Sequence, residues 1–337
     1  MKINIKKYLT LVLLLTILIA APLTAPIAYA KSYKPEPTQV TAHIDGFVND
    51  LGIQKYTIEG KSSSGAFIYG KAMFEPEVSF KLEATVIDDV VTGSLKLNVT
   101  GKSESSKTQT QLTVNIPIDS GSPGLGCIDG YGLGELIPCP TTPWSEDIVP
   151  FLELENGDFI PIFFAGEGEA TLKIGKETTT YTVYVVVDTS TAQHPFIGGP
   201  EDNNGRVTLT DMYGSFAFDV DVKKFKVDYK EVVMLGEVTG DLEGLLIQTA
   251  NSKEDHVKGV QKDDGYLSFS VIRVDTGDAI TMSGSYKGDS IQAPLLGYLY
   301  YSTGKFTTSG DMEIKGTYDT LWYLPLFWTS TFTGTVK

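Results

Sequence analysis

The sequence predicts an all-β protein of antiparallel sandwich or barrel domains, and three observations carry that prediction. Apolar and polar residues alternate with period two over most of the chain. Turn-forming residues recur at short intervals in the C-terminal part, and no apolar stripe at helical spacing persists after Ala30. With 42% hydrophobic and 20% charged side chains among 337 residues, the chain has the apolar material for a folded core, which excludes disorder and fibrous classes.

Residues 1–30 have the form of a signal peptide. Lys2, Lys6 and Lys7 precede an apolar run from Tyr8 to Ala21 and the small-residue exit Ala28-Tyr29-Ala30. The protein is therefore expected to be secreted or held at the cell surface, the latter if the segment is retained as an anchor. Removing these three lysines from 27 basic residues leaves 24 against 42 acids, a mature charge of −18. Nucleic acid is excluded as a partner class, because phosphate contacts need a basic face. The longest later apolar run, Leu321 to Trp328, is too short to span a membrane as a helix and contains Pro325.

Residues 31–200 read as an N-terminal β domain. Val78, Phe80, Leu82, Ala84 and Val86 alternate with polar residues, as do Leu112, Val114, Ile116 and Ile118, and then Tyr181, Val183, Val185 and Val187. One face of each such strand packs on a core while the other meets water. Asn98-Val99-Thr100 is an N-glycosylation sequon whose Asn98 points outward between inward Leu97 and Val99. Residues 121–161 interrupt the pattern with repeated prolines and glycines, and they contain both cysteines, Cys127 and Cys139. In an oxidising compartment this pair is expected to close as one structural disulfide. Such a loop removes roughly 3 kcal/mol of unfolded-state freedom in the chain-entropy model.

A turn-rich break from His194 to Gly205 sets the domain boundary near residue 200, with one continuous β structure as the alternative. Residues 201–337 then read as an up-and-down antiparallel meander. Its first strand is long: Phe216, Phe218, Val220 and Val222 give way to Phe225, Val227 and Tyr229, a switch of parity at Lys223-Lys224. One inserted residue, a β-bulge, explains the switch and bends the strand. Turn signals follow at Asp263-Asp264-Gly265, Thr276-Gly277-Asp278, Lys287-Gly288-Asp289, Ser302-Thr303-Gly304 and Ser309-Gly310-Asp311. Ile280-Thr-Met-Ser-Gly284-Ser-Tyr286 is matched by Met312-Glu-Ile-Lys-Gly316-Thr-Tyr318, with a weaker echo from Tyr56 to Ser62. Glycine at an inward position marks a bend or the close approach of another backbone.

No motif assigns a chemistry. Val186-Val187-Asp188-Thr189-Ser190 and Val274-Asp275-Thr276-Gly277 resemble the Asp-Thr-Gly or Asp-Thr-Ser signature of aspartic proteases. That resemblance implies a dyad of Asp188 and Asp275 sharing one proton. Arg273 and Asp278 depart from the signature, and a strand ending in Asp-Thr-Gly is also a good hairpin turn. Gly130-Tyr-Gly132-Leu-Gly134 lacks the strand and helix that make a phosphate loop. Glu201 to Gly205 with Asp211 offers oxygen ligands without EF-hand spacing, and His43, His194 and His256 are scattered, so no metal and no cofactor is assigned. The pairs Glu167/Glu169 and Asp219/Asp221 read as solvent-facing rows.

Two features remain as candidate binding or interface residues. Arg273 continues the inward parity of Leu267, Phe269 and Val271, where a guanidinium needs a carboxylate or an anionic ligand. The C-terminal region is aromatic, with Tyr298, Tyr300, Trp322, Tyr323, Phe327 and Trp328. Near Trp328 both parities are apolar, so this strand is either buried on both faces or offers one to a partner. The reading that results is a secreted or envelope structural protein, leaning against catalysis, that self-associates through this strand. An extracellular module binding carbohydrate or a small apolar ligand is the first alternative, and an aspartic-type protease the second.

Overall fold

The computed structural model describes residues 38–62, 67–69, 72–74, 76–102, 107–123, 126–128, 136–138, 148–149, 161–188, 204–211, 214–255, 257–258, 260–292, 299–311, 313–323 and 327–336. All regular structure in them is strand, and all pairing is antiparallel. The N-terminal part contributes β1 (Thr38–Asp50), β2 (Ile53–Ser62), β3 (Phe67–Tyr69), β4 (Ala72–Phe74), β5 (Glu77–Ile87), β6 (Val90–Lys102) and β7 (Gln109–Ile118). Four short strands follow: β8 (Ser120–Pro123), β9 (Gly126–Ile128), β10 (Leu136–Pro138) and β11 (Ile148–Val149). Then come β12 (Pro161–Ile174), β13 (Glu177–Asp188), β14 (Asn204–Asp211) and the long β15 (Gly214–Gly240). The meander comprises β16 (Leu242–Asp255), β17 (Val260–Arg273), β18 (Ala279–Gln292), β19 (Leu299–Gly310), β20 (Ile314–Tyr323) and β21 (Phe327–Val336).

β15 to β21 pair in sequence order, and β1 closes them into an eight-stranded barrel by pairing with both β21 and β15. The remaining main-sheet strands leave β15 on its other stretch. They run β14, β13, β12, β7, β6, β5 and β2, and β2 returns to β15, so the pairing path closes a second time. β8 pairs outside this path with β12, while β9 to β11 and β3–β4 form small separate sheets. Residues 37–337 form one compact unit. The boundary expected near residue 200 falls outside the described residues, and the strands on its two sides share β15.

Alternation makes the core as the sequence predicts. Val78, Phe80, Leu82, Ala84 and Val86 of β5 are buried while their neighbours are not, and Leu112, Val114, Ile116 and Ile118 of β7 repeat the pattern. Each such burial contributes about 1.5–3 kcal/mol against an exposed side chain. Inside the N-terminal ring Tyr56 meets Phe164 edge-on at 5.2 Å and Phe225 at 6.5 Å. That interior is packed with aromatic and branched side chains.

The bulge expected at Lys223-Lys224 is present: the β15–β2 register shifts between Val222 and Lys224. Buried positions change from Val220 and Val222 to Phe225, Val227 and Tyr229. A second shift lies between Tyr229 and Val232, where Glu231 takes φ 62° and buried parity returns to Val232 and Met234. Opposite it, between β1 and β2, Gly52 takes φ 57°, and a Cβ there would stand 2.1 Å from the Lys230 carbonyl oxygen. Only glycine fits that crossing.

The turns at Thr276-Gly277-Asp278 and Gly310-Asp311 form where expected. At the latter, Asp311 N–H donates to the Thr281 carbonyl, and its Oδ2 accepts from Thr281 N–H at 3.0 Å. Asp241 repeats the device on Thr41. The other three turn signals are corrected: Asp263-Asp264-Gly265, Lys287-Gly288-Asp289 and Ser302-Thr303-Gly304 lie inside β17, β18 and β19. Their glycines stand on the inner face beneath aromatic rings, where the missing side chain makes room for Tyr286 and Tyr318.

The two matched heptapeptides place Gly284 and Gly316 alike. A Cβ would lie 1.8 Å from the Thr307 carbonyl oxygen at the first and 2.0 Å from that of Thr333 at the second. Gly284→Val should therefore destabilise the fold by about 2–3 kcal/mol, while its outward neighbour Ser283→Val should change it by no more than about 0.5 kcal/mol. Denaturant midpoints of the two variants measure the difference, and equal effects would contradict the close approach.

Candidate functional site

Arg273 ends β17 with its side chain 14% exposed. Its Nε donates to Asp275 Oδ1 at 2.8 Å, and a terminal nitrogen donates to Oδ2. The inward parity read from the sequence holds, and the carboxylate partner lies two residues away in the same turn. Hydrogen bonding to the guanidinium, with its charge, holds the Asp275 carboxyl below its ordinary range, and desolvation opposes the shift. Asp188 sits at the end of β13 opposite Arg206 of β14, whose Nε reaches Asp219 near the start of β15 at 2.9 Å. Asp275, by contrast, lies in the turn whose Val274 N–H bonds the carbonyl of Asp241, just past the end of β15. Asp188 and Asp275 thus stand near opposite ends of a 27-residue strand. Thr189 and Ser190 fall outside the described residues.

The aromatic C-terminal strand divides by face. Trp328 is 4% exposed and lies against Gly46, where a Cβ would meet its indole at 2.4 Å. Phe332 is buried beside it and meets Phe306 edge-on at 5.4 Å. For Tyr300, Trp322, Tyr323 and Phe327 the structure describes the backbone pairing only, and Tyr298 lies outside the described residues. Phe327 is the register partner of Phe47.

Beneath Trp328 the C-terminal barrel holds a cavity of about 40 Å³. Its polar lining is Gln248, Asp263, Tyr286, Tyr318, Trp328 and Ser330, set in an apolar wall. Asp263 is 7% exposed, and Tyr286 is buried beside it. Burial pushes the Tyr286 phenol far above its ordinary range, and the Asp263 carboxylate adds to this. At roughly 10–15 Å³ per water the cavity holds a few water-sized groups. Pockets for drug-sized ligands run from about 300 Å³ upward. Arg273 is not part of this lining. Asp263 and Tyr318 also border an open groove on the outside of β16 to β20, walled by Lys253, Lys262, Lys287 and Lys305.

The outer face of the barrel carries a feature that sequence reading missed. Phe47, Leu235 and Ile247 are successive register partners across β1, β15 and β16. Phe47 is 43% and Ile247 53% exposed, and Leu245, Ile272 and Tyr266 extend the patch with exposures of 44%, 50% and 72%. The signal was present in Leu245-Leu246-Ile247, where both parities are apolar, but the cross-strand row exists only once the register is set.

Other expected sites are placed without a chemistry. Asn98 is half-buried on the outer face and accepts from Gln111 Nε2 at 3.1 Å. Glu167 pairs in register with exposed Tyr184, bordering a shallow groove with Thr182 and Thr210. Cys127 lies in β9, while Cys139, the glycine run at 130–134 and Glu201 to Asn203 lie outside the described residues. Among the described residues no group of three or more His, Cys, Asp or Glu is placed to hold a metal ion.

The Arg273–Asp275 pair has a pH signature. Because the folded-state carboxyl is depressed, its contribution is present above the unfolded carboxylate value of about 3.9 and is lost as pH falls through the folded value. Asp275→Asn should melt slightly below the parent at pH 7, with the gap closing as pH falls below the ordinary carboxylate range; a gap independent of pH would contradict the pairing. The effect is small because the carboxylate is 58% exposed and screened by solvent. No protein-family model matches this chain, and no curated protein is significantly similar to it.

Proposed function

We propose that this is an exported structural protein that works by self-association through the outer face of its C-terminal barrel. The observation that carries the reading is the apolar row of Phe47, Leu235 and Ile247, extended by Leu245, Tyr266 and Ile272. Patches of this kind, rimmed by polar residues such as Glu237, Glu243 and Thr249, mark interaction surfaces. Pairing of β1 with both neighbours leaves the barrel without an edge strand, so association by strand addition is closed to it and a face must serve. Export rests on the Lys2, Lys6 and Lys7 segment with its apolar run, and the Cys127–Cys139 disulfide belongs to the same reading. Trp328 is buried, and the outward residues that β21 sets beside β1 are Thr329, Thr331 and Thr333, so this reading rests on the row across β1, β15 and β16 and not on Trp328.

A second copy is the occupant this reading assigns to the patch. Residues 31–337 should sediment as a dimer or larger species at micromolar concentration. Ile247→Lys should weaken association at least tenfold, as expected for losing an apolar anchor of about 1.5–3 kcal/mol. Ser283→Lys, on a polar part of the same barrel, should leave it unchanged. A parent chain that is monomeric throughout this range would overturn the reading.

A further inference from the structure

The outer face that carries the apolar row is also graded in charge along its strands. On β16 the outward residues run from Glu243 through Leu245 and Ile247 to Lys253, and on β17 Ile272 and Tyr266 lead to Lys262 in the same direction. At the first end, exposed Asp241 and Asp275 in the bounding turns add to Glu243, and the Arg273 guanidinium beside them is held by Asp275. At the other end Lys253 and Lys262 wall an open groove with Lys287 and Lys305, four lysines against outward Asp264 and Asp319 and the buried Asp263 beneath. This is a local excess of bases in a chain where acids outnumber them 42 to 27.

The apolar row lies midway between the two ends. Phe47, Leu235 and Ile247 stand at one level across β1, β15 and β16. Along the chain from Ile247, Lys253 is six residues one way and Asp241 six residues the other, roughly 20 Å each at the rise of a strand. Two copies that meet on this face about a two-fold axis have that axis in the plane of contact, running either along the strands or across them. An axis along the strands keeps every residue at its own level, so lysine faces lysine and carboxylate faces carboxylate. An axis across them, coincident with the apolar row, sets the strands of the two copies antiparallel. The row then stacks on its own copy, and Lys253 lies over the partner's Asp241 at both rims. Complementary charges steer such an encounter and fix its register, while like charges in contact oppose it.

We propose that two copies of this chain close into an antiparallel face-to-face dimer whose two-fold axis runs along the Phe47–Leu235–Ile247 row, with the lysine end of each barrel on the acidic end of the other. This rests on the self-association reading above and adds to it an orientation, a closed stoichiometry and a dependence on salt. The apolar row supplies the buried centre, and the charged ends select the antiparallel arrangement over the parallel one.

Sedimentation of residues 31–337 at micromolar concentration tests it. The parent should stop at a dimer, and its dissociation constant should rise at least about tenfold as sodium chloride goes from about 50 to about 500 mM. Lys253→Glu should weaken the dimer about tenfold at low salt, because the two-fold axis repeats the reversed contact, and Glu243→Lys should do the same. Asp241 is left in place because its carboxylate holds the Thr41 amide. An equimolar mixture of the two variants should recover a dimer close to the parent's affinity, which also shows that both are folded. Unchanged dimerisation of both variants, or a mixture that stays monomeric, would overturn the orientation; the face itself stands if Ile247→Lys still weakens association. Growth beyond a dimer would replace the closed pair by head-to-tail contact, and a monomeric parent would overturn both readings.

Discussion

One strand carries the architecture, and the constraint on it is that every backbone amide and carbonyl along its length must find a partner. β15 answers it by using each edge twice, and it is paired on both edges over 226–229 and 233–238. β14 and then β16 lie along one edge, β2 and then β1 along the other. Two closed paths of pairing therefore depend on the same 27 residues. A strand serving two interiors must keep its apolar side inward in both, and strict period-two alternation cannot follow the change of curvature. The extra residues at Lys223 and near Glu231 are the physical answer, each resetting parity where the partner strand changes.

The local terms of this fold are legible in the sequence. Alternation identifies the strands and their inner faces, and the parity switch at Lys223-Lys224 locates a bulge with no knowledge of the partner. The same test applied from Tyr229 to Val232 would have found the second. Closure was not legible, because β1 reaches β15 and β21 across most of the chain, as in Ala42 opposite Gly240 and Phe332. Nor could the sequence separate a turn glycine from an inner-face glycine. Gly265, Gly288 and Gly304 sit beside Asp, Lys or Thr as turn glycines do, and only the rings of Tyr286 and Tyr318 above them reveal their role.

The same division holds for the sites. Arg273 and Trp328 face inward as parity requires, and the guanidinium's partner was readable because Asp275 is two residues away. Asp263 also shares the parity of Leu267 and Phe269, so its burial could have been read had the stretch not resembled a turn. Its meeting with Tyr286 and the aromatic lining depends on register across several strands. The outer row of Phe47, Leu235 and Ile247 is likewise a product of register, assembled from three segments that each look ordinary alone. In a closed antiparallel sheet, function-bearing surfaces are cross-strand rows, and sequence order does not list them together.

Native-state hydrogen exchange along β15 tests the shared-strand account most directly. If both closures depend on this strand, the amides of 214–222 and 232–240 should open in one cooperative event with the same denaturant dependence, among the slowest in the molecule. Independent opening of the two stretches, with one exchanging freely while the other stays protected, would contradict the account and mark two separately folded barrels.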